Sequence, residues 1–186
     1  MVDEQQDIWA ILKEKLPWHK TPEELQKRKD IWRSFDVNGN GYLSLAEIDK
    51  ACRDVLQLPQ LFDMKPVLMR AFMAAKNKVK SKSKHGDDYV TKGEFRWLLK
   101  FLRMYFELWV AFDRIDTSGD RRVSYSEFCA AIPDLERWNI DMSNPEEQWK
   151  VADRDGGGMI LFIEFCSWAI KNNLDLDDDD DDDENE

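Results

Sequence analysis

The chain has 186 residues, of which 42% are apolar and 12% aromatic, and a formal net charge of −11. That apolar share supports a packed core and excludes a globally disordered chain, and the length allows one domain or two small ones. The acidity is local: Asp175 to Glu186 carry ten of the 38 acidic residues and no Lys or Arg, which leaves 28 acidic against 27 basic residues elsewhere. A near-neutral body with an acidic tail excludes a uniformly basic nucleic-acid binder.

Cys52, Cys129 and Cys166 are widely spaced and odd in number, with no CxxC pair. They read as small core residues in a reduced, cytoplasmic setting. His19 and His85 lack the Cys or acidic neighbours of a zinc site or a Ser-His-Asp triad. No catalytic constellation stands out, so the chain is not expected to be an enzyme.

In chain order, Ile8, Ile11, Leu12 and Leu16 fall near helical spacing, which predicts a helix from Asp7 to Leu16 closed by Pro17. Thr21-Pro22-Glu23-Glu24 is a helix start, with Thr21 as cap, Pro22 at the first position and Glu24 completing a capping box. Leu25, Trp32 and Phe35 carry its apolar face to residue 35. Asn144-Pro145-Glu146-Glu147 repeats that start signal ahead of Trp149.

An internal repeat follows. Trp32, Phe112 and Trp149 each stand four residues before an Asp, and each Asp opens a polar loop that ends on a Glu eleven positions later. The loops are DVNGNGYLSLAE (36–47), DTSGDRRVSYSE (116–127) and DRDGGGMILFIE (153–164), followed by Ile48, Phe128 and Phe165. A fourth, damaged unit lies second in order. Its Glu94 is followed by Phe95, its strand is Tyr89-Val90-Thr91, and counting back gives Ser83, His85, Asp87 and Asp88 at positions 1, 3, 5 and 6. The central apolar residues Leu43, Val90, Val123 and Ile160 lie 47, 33 and 37 residues apart, the long first interval reflecting extra residues in the second unit.

Such a loop is an oxygen cage for Ca²⁺. Side chains at positions 1, 3 and 5, a carbonyl at 7, a group or water at 9 and both oxygens of the Glu at 12 supply the ligands, and Gly at 6 allows the turn. The first loop offers Asp36, Asn38, Asn40, the Tyr42 carbonyl, Ser44 and Glu47, with Gly41 at the turn. The third-unit loop offers Asp116, Ser118, Asp120, the Arg122 carbonyl, Ser124 and Glu127, but Arg121 occupies the Gly position. The last loop offers Asp153, Asp155, the Met159 carbonyl and Glu164, with Gly157 and Leu161 where side-chain oxygens are wanted. It is expected to bind weakly or not at all. The second unit is expected to be dead and to serve by pairing its strand with the first loop. The alternative for every loop is a vestigial hand kept for packing.

Trp97 to Phe112 (WLLKFLRMYFELWVAF) carries Lys100, Arg103 and Glu107, too short and too charged to span a bilayer. With Arg96 these charges form one helical stripe beside a wide apolar face, which reads as one core helix or two joined end to end. Lys76, Lys78, Lys80, Lys82 and Lys84 alternate with small or polar residues, and 76–85 reads as an inserted Lys-rich loop. It is either a solvated loop, a contact for anionic lipid or an acidic partner, or a dock for the Asp177 to Asp183 run. The tail itself reads as a disordered solubilising segment, with diffuse weak Ca²⁺ binding as the other option.

Across roughly residues 8 to 170 the chain resembles the EF-hand superfamily, and more narrowly the calflagins, the flagellar calcium-binding proteins of trypanosomatids. The resemblance rests on IWAILKEKLPWHKT leading into QKRKDIWRSFD, on the degenerate second unit followed by EFRWLLKFLRMYFELWVAFDRID, and on DTSGD followed by AAIPDLERWNI. It implies a flagellar or ciliary location. Calflagins are acylated and associate with the flagellar membrane. Here Met1-Val2 offers no Gly at position 2 and no Cys precedes Cys52, so membrane anchoring is not expected.

These readings predict an all-α protein of two EF-hand pairs, each with short paired inter-loop strands. Residues 1–104 would hold an N-terminal helix and units 1 and 2, 105–172 units 3 and 4, and 173–186 the acidic tail. The expected function is Ca²⁺ sensing by a monomer that engages a partner helix or a membrane-associated partner through an apolar groove, with no nucleic acid. Met64, Met69, Met73 and Met104 either line that groove or are plain core. The rivals are a Ca²⁺ buffer and a structural or scaffolding protein of a cilium or flagellum.

Overall fold

The computed structural model describes residues 11–12, 14–57, 64–78 and 88–174. The predicted helix Asp7–Leu16 is thus described only in part, through the buried Leu12 and Leu16 and the amide of Leu16 donating to the Leu12 carbonyl (2.8 Å). The acidic tail and Lys80, Lys82 and Lys84 lie outside the described residues. The chain forms two compact units, Met1–Phe106 and Glu107–Glu186, the division falling within a helix.

In the first unit, α1 (Pro22–Phe35) enters the first loop, and β1 (Tyr42–Ser44) leads into α2 (Leu45–Asp54). α3 (Lys65–Lys78) and β2 (Tyr89–Thr91) belong to the second hand, which continues into α4 (Phe95–Ile115). Thr21 caps α1 by accepting the Glu24 amide (3.3 Å). The expected capping box does not close. The Glu24 carboxylate instead accepts the amide of His19 (2.6 Å), two residues further back. The buried Arg28 reinforces that turn by donating to the carbonyls of His19 (2.6 Å) and Pro17 (3.4 Å).

β1 and β2 pair antiparallel with Leu43 opposite Val90, so the damaged second hand does supply a strand to the first loop. Both side chains are fully buried. Phe95 lies edge-on to Trp32 and Phe35, with ring centroids 5.1 and 5.5 Å apart. The aromatic after the second hand's Glu thus packs on the entry helix of the first hand.

One sequence reading needs correction here. Residues 76–78 are not loop: α3 runs to Lys78, and Lys76 is buried. The physical reason is helical phase, because Lys76 follows the buried Leu68 and Phe72 at four-residue steps. Lys78, in the last turn, sits over the Trp97 ring (4.7 Å). Of the two readings offered for Trp97 to Phe112, the structure gives the first: the segment lies within one 21-residue helix. Its charged stripe is partly internal: Arg103 and Glu107 are buried, while Lys100 and Arg96 lie over the Trp18 ring at 4.2 and 5.8 Å.

The second unit contains β3 (Arg122–Ser124), α5 (Tyr125–Ala130), α6 (Ile132–Arg137), α7 (Pro145–Ala152), β4 (Met159–Leu161) and α8 (Phe162–Lys171). Pro133 in the first turn of α6 cannot donate an amide, and the exit from the third loop is two short helices. β3 and β4 pair antiparallel with Val123 opposite Ile160. Phe128 lies edge-on to Trp149 (5.6 Å) and Phe165 edge-on to Phe112 (5.5 Å). The packing of exit-helix Phe on the partner hand's entry helix therefore recurs, as the repeat requires.

Candidate metal centres

Each loop opens at a helix C-terminus and closes at a helix N-terminus, and its polar residues fold inward through their own backbone. In the first loop Asp36 accepts the amides of Asn40 and Gly41, both at 3.0 Å, and Asn40 Oδ1 accepts the Tyr42 amide at 2.8 Å. Glu47 Oε2 accepts from the Ser44 amide (2.9 Å) and hydroxyl (2.8 Å), while Ser44 Oγ accepts the Glu47 amide. This capping box starts α2 and fixes the Glu at position 12. Its Oε1 accepts from Asn38 Nδ2 (2.9 Å), so positions 3 and 12 meet. Gly41 has φ 81°, the left-handed backbone that the turn demands.

The third loop repeats the arrangement. Asp116, almost fully buried, accepts from Ser118 Oγ (3.0 Å) and from the amides of Gly119 (2.8 Å) and Arg121 (2.7 Å). Asp120 Oδ1 accepts the Arg122 amide at 2.9 Å. Glu127 Oε2 accepts from the Ser124 amide (2.9 Å) and hydroxyl (2.7 Å). Its Oε1 accepts from the Ser118 amide (2.9 Å) and Thr117 Oγ1 (3.1 Å). The Ser124 contacts, joined by those from Ser118 and Thr117, stabilise the charged form and hold the Glu127 carboxyl down at about 2. Arg121 sits at φ 65° where the first and last loops have Gly.

The last loop, expected to be the weakest, gathers its carboxylates most tightly. Asp153, Asp155 and Glu164 each bring an oxygen within 4.8 Å of the others, the one such group among the described residues. Asp153 Oδ2 accepts the Gly158 amide (3.0 Å), Asp155 Oδ1 accepts the Gly157 amide (2.7 Å), and Glu164 accepts the amides of Asp155 (3.2 Å) and Leu161 (2.9 Å). Asp153 Oδ1 is buried without a hydrogen-bond partner. A buried carboxylate oxygen left over beside two further carboxylates is what a hard cation satisfies. Gly157 and Leu161 supply no side-chain oxygen, as the sequence indicated.

The second hand differs. Glu94 Oε2 accepts from the Thr91 amide (2.7 Å) and hydroxyl (2.8 Å), as its counterparts do from Ser44 and Ser124. Its Oε1, however, faces Lys76 Nζ at 3.0 Å. That pairing was missed from sequence, although the phase of Lys76 with Leu68 and Phe72 was the signal for it. Positions 1, 3 and 5 of that loop (Ser83, His85, Asp87) lie outside the described residues.

Comparison with known proteins gives the family. The family model described as FCaBP EF-hand domain matches residues 12–102. The flagellar calcium-binding protein of Trypanosoma cruzi is 34% identical over 171 residues, covering 91% of this chain and 81% of that one. Flagellar calcium-binding protein TB-24 of Trypanosoma brucei brucei is 33% identical over 172 residues, covering 90% and 78%. Among solved structures, a homolog of programmed cell death 6 protein from Leishmania major Friedlin matches with TM-score 0.40 at 20% identity, over 77% of this chain and 74% of that one. Four helix–loop–helix units in two strand-linked pairs, together with these relatives, place the chain plainly: it belongs to the flagellar calcium-binding protein family of EF-hand proteins.

Proposed function

We propose that the chain is a Ca²⁺ sensor of the flagellum that binds the ion through its first, third and last loops and then engages a helical partner. The observation that carries the reading is the position of the closing Glu in all three loops. Glu47, Glu127 and Glu164 are each fixed at a helix start through one oxygen, while the other reaches position 3 of the same loop. A cation drawing both oxygens inward then acts directly on the exit helix. The residues for the ion are Asp36, Asn38, Asn40, Tyr42 and Glu47; Asp116, Ser118, Asp120, Arg122 and Glu127; and Asp153, Asp155, Met159 and Glu164. Relatives named for calcium binding and for the flagellum support the ion and the location.

The sensor reading is favoured over a buffer by apolar side chains left at the surface of each unit. Met69 and Met73, one helical turn apart on α3, are about half exposed, and so are Ile163 and Ile170 on α8. Methionine is adaptable and suits contact with a partner helix. The test is fluorescence of an apolar-surface dye on the full chain, with and without Ca²⁺. A Ca²⁺-dependent gain supports a sensor, and Ca²⁺ binding without any gain means a buffer.

A further inference from the structure

The other three closing glutamates are half-buried, and their Oε1 atoms point at position 3 of their own loops. Glu94 is only 2% exposed, and its Oε1 and Oε2 receive Lys76 Nζ at 3.0 and 3.3 Å. The Lys76 side chain is itself only 4% exposed. The ammonium thus touches both oxygens of the carboxylate that, in the other hands, reaches position 3 of its own loop. It comes from the last turn of the entry helix α3, and Glu94 directly precedes the exit helix α4. A charge buried this far from water persists only when paired, and removing one partner leaves the other uncompensated.

We propose that the Lys76 ammonium is a permanent internal cation of the second hand, which stands in for the metal and ties entry helix to exit helix at every Ca²⁺ level. The second hand is then held in one setting, and Ca²⁺-driven movement in the first unit is confined to the first hand. A Lys ammonium suits the task as a compact point charge on a long apolar stem, which lies here along the buried side of α3. The ion pair stands independently of the proposed sensor function, whereas the Ca²⁺-insensitivity rests on the first loop being a Ca²⁺ site.

The test has two arms on the full chain. In chelator, thermal melts compare the wild type with Lys76→Met, Glu94→Gln and the double variant Lys76→Met/Glu94→Gln. Lys76→Met alone is expected to lower the midpoint by on the order of 10 °C, because it strands a buried carboxylate. The double variant is expected to recover much of that loss, and purely additive effects would overturn the pairing. The second arm places spin labels at Met69→Cys on α3 and Lys92→Cys before α4, with Cys129→Ser as background. The inter-label distance is expected to ignore Ca²⁺ in the chain with Lys76 and to respond to it in the double variant. A Ca²⁺-driven shift with Lys76 present, or none in the double variant while the Gly41 amide reports a filled first loop, overturns the tether. A Gly41 amide that never responds to Ca²⁺ marks failure of the first loop as a site, and the melts then decide the ion pair by themselves.

Discussion

Leu43 faces Val90 across the first strand pair, and neither side chain has any exposure to solvent. One comes from a loop with a full set of oxygen ligands and the other from a hand whose Glu is occupied by Lys76. The second hand thus supplies the buried strand contact of the first loop. Leu43→Ala opens a cavity at this contact and is expected to destabilise the first unit by about 2–5 kcal/mol. Val90→Ala changes stability in the same direction and also weakens Ca²⁺ binding at the first loop, although Val90 is not a ligand. Chemical denaturation and a Ca²⁺ titration of each variant check this, and unchanged first-loop affinity in Val90→Ala contradicts it.

Arg121 holds a left-handed backbone at φ 65° in the third loop, where Gly41 and Gly158 do so in the first and last. A side chain there carries a strain of on the order of 1 kcal/mol that Gly lacks. Arg121→Gly is expected to raise the melting midpoint of the second unit by several degrees. Arg121→Ala keeps the strain without the charge and is expected to stay near the wild type. A gain in Ala equal to that in Gly would mean that charge, not backbone, sets the effect.

Cys52 lies fully buried on α2, and its thiol is pushed up to about 12 by burial, with the Asp49 charge adding to the effect. A raised folded value means that the fold favours the protonated thiol. That contribution is fully present below the ordinary value of 9.0 and is lost as pH rises through about 12. Cys52 and the buried Cys166 are expected to resist a thiol reagent at pH 8 in the native state, while the part-exposed Cys129 reacts. Mass spectrometry of the labelled chain reads the order, and labelling of Cys52 ahead of Cys129 contradicts it.

Much of this architecture is legible in the sequence because loop spacing and strand alternation act locally. The Asp-to-Glu interval places each Glu at a helix start, and the apolar residue at position 8 then has to face its counterpart across the strands. What was not legible depends on side chains that meet across the fold. Glu24 could satisfy either of two amides behind it, and the turn held by Arg28 decides for His19. Lys76 stands in a run of lysines; its phase with Leu68 and Phe72 marks the buried side of α3, but its partner Glu94 lies 18 residues on and is met only across the fold. Counting ligands does not register how the last loop's carboxylates are placed. Gly157 and Leu161 remove two side-chain oxygens, yet the remaining three carboxylates converge, and Asp153 keeps a buried oxygen unpaired.

The proposed function requires three loops to bind Ca²⁺, each through its closing Glu. The most direct measurement is a calorimetric Ca²⁺ titration of the full chain in about 1 mM Mg²⁺, repeated on Glu47→Gln, Glu127→Gln and Glu164→Gln. Saturable binding within the sensor range of roughly 10⁻⁷ to 10⁻⁵ M is expected, with one site lost in each variant. Saturable binding that survives all three substitutions, or no saturable heat in the wild type, would contradict it.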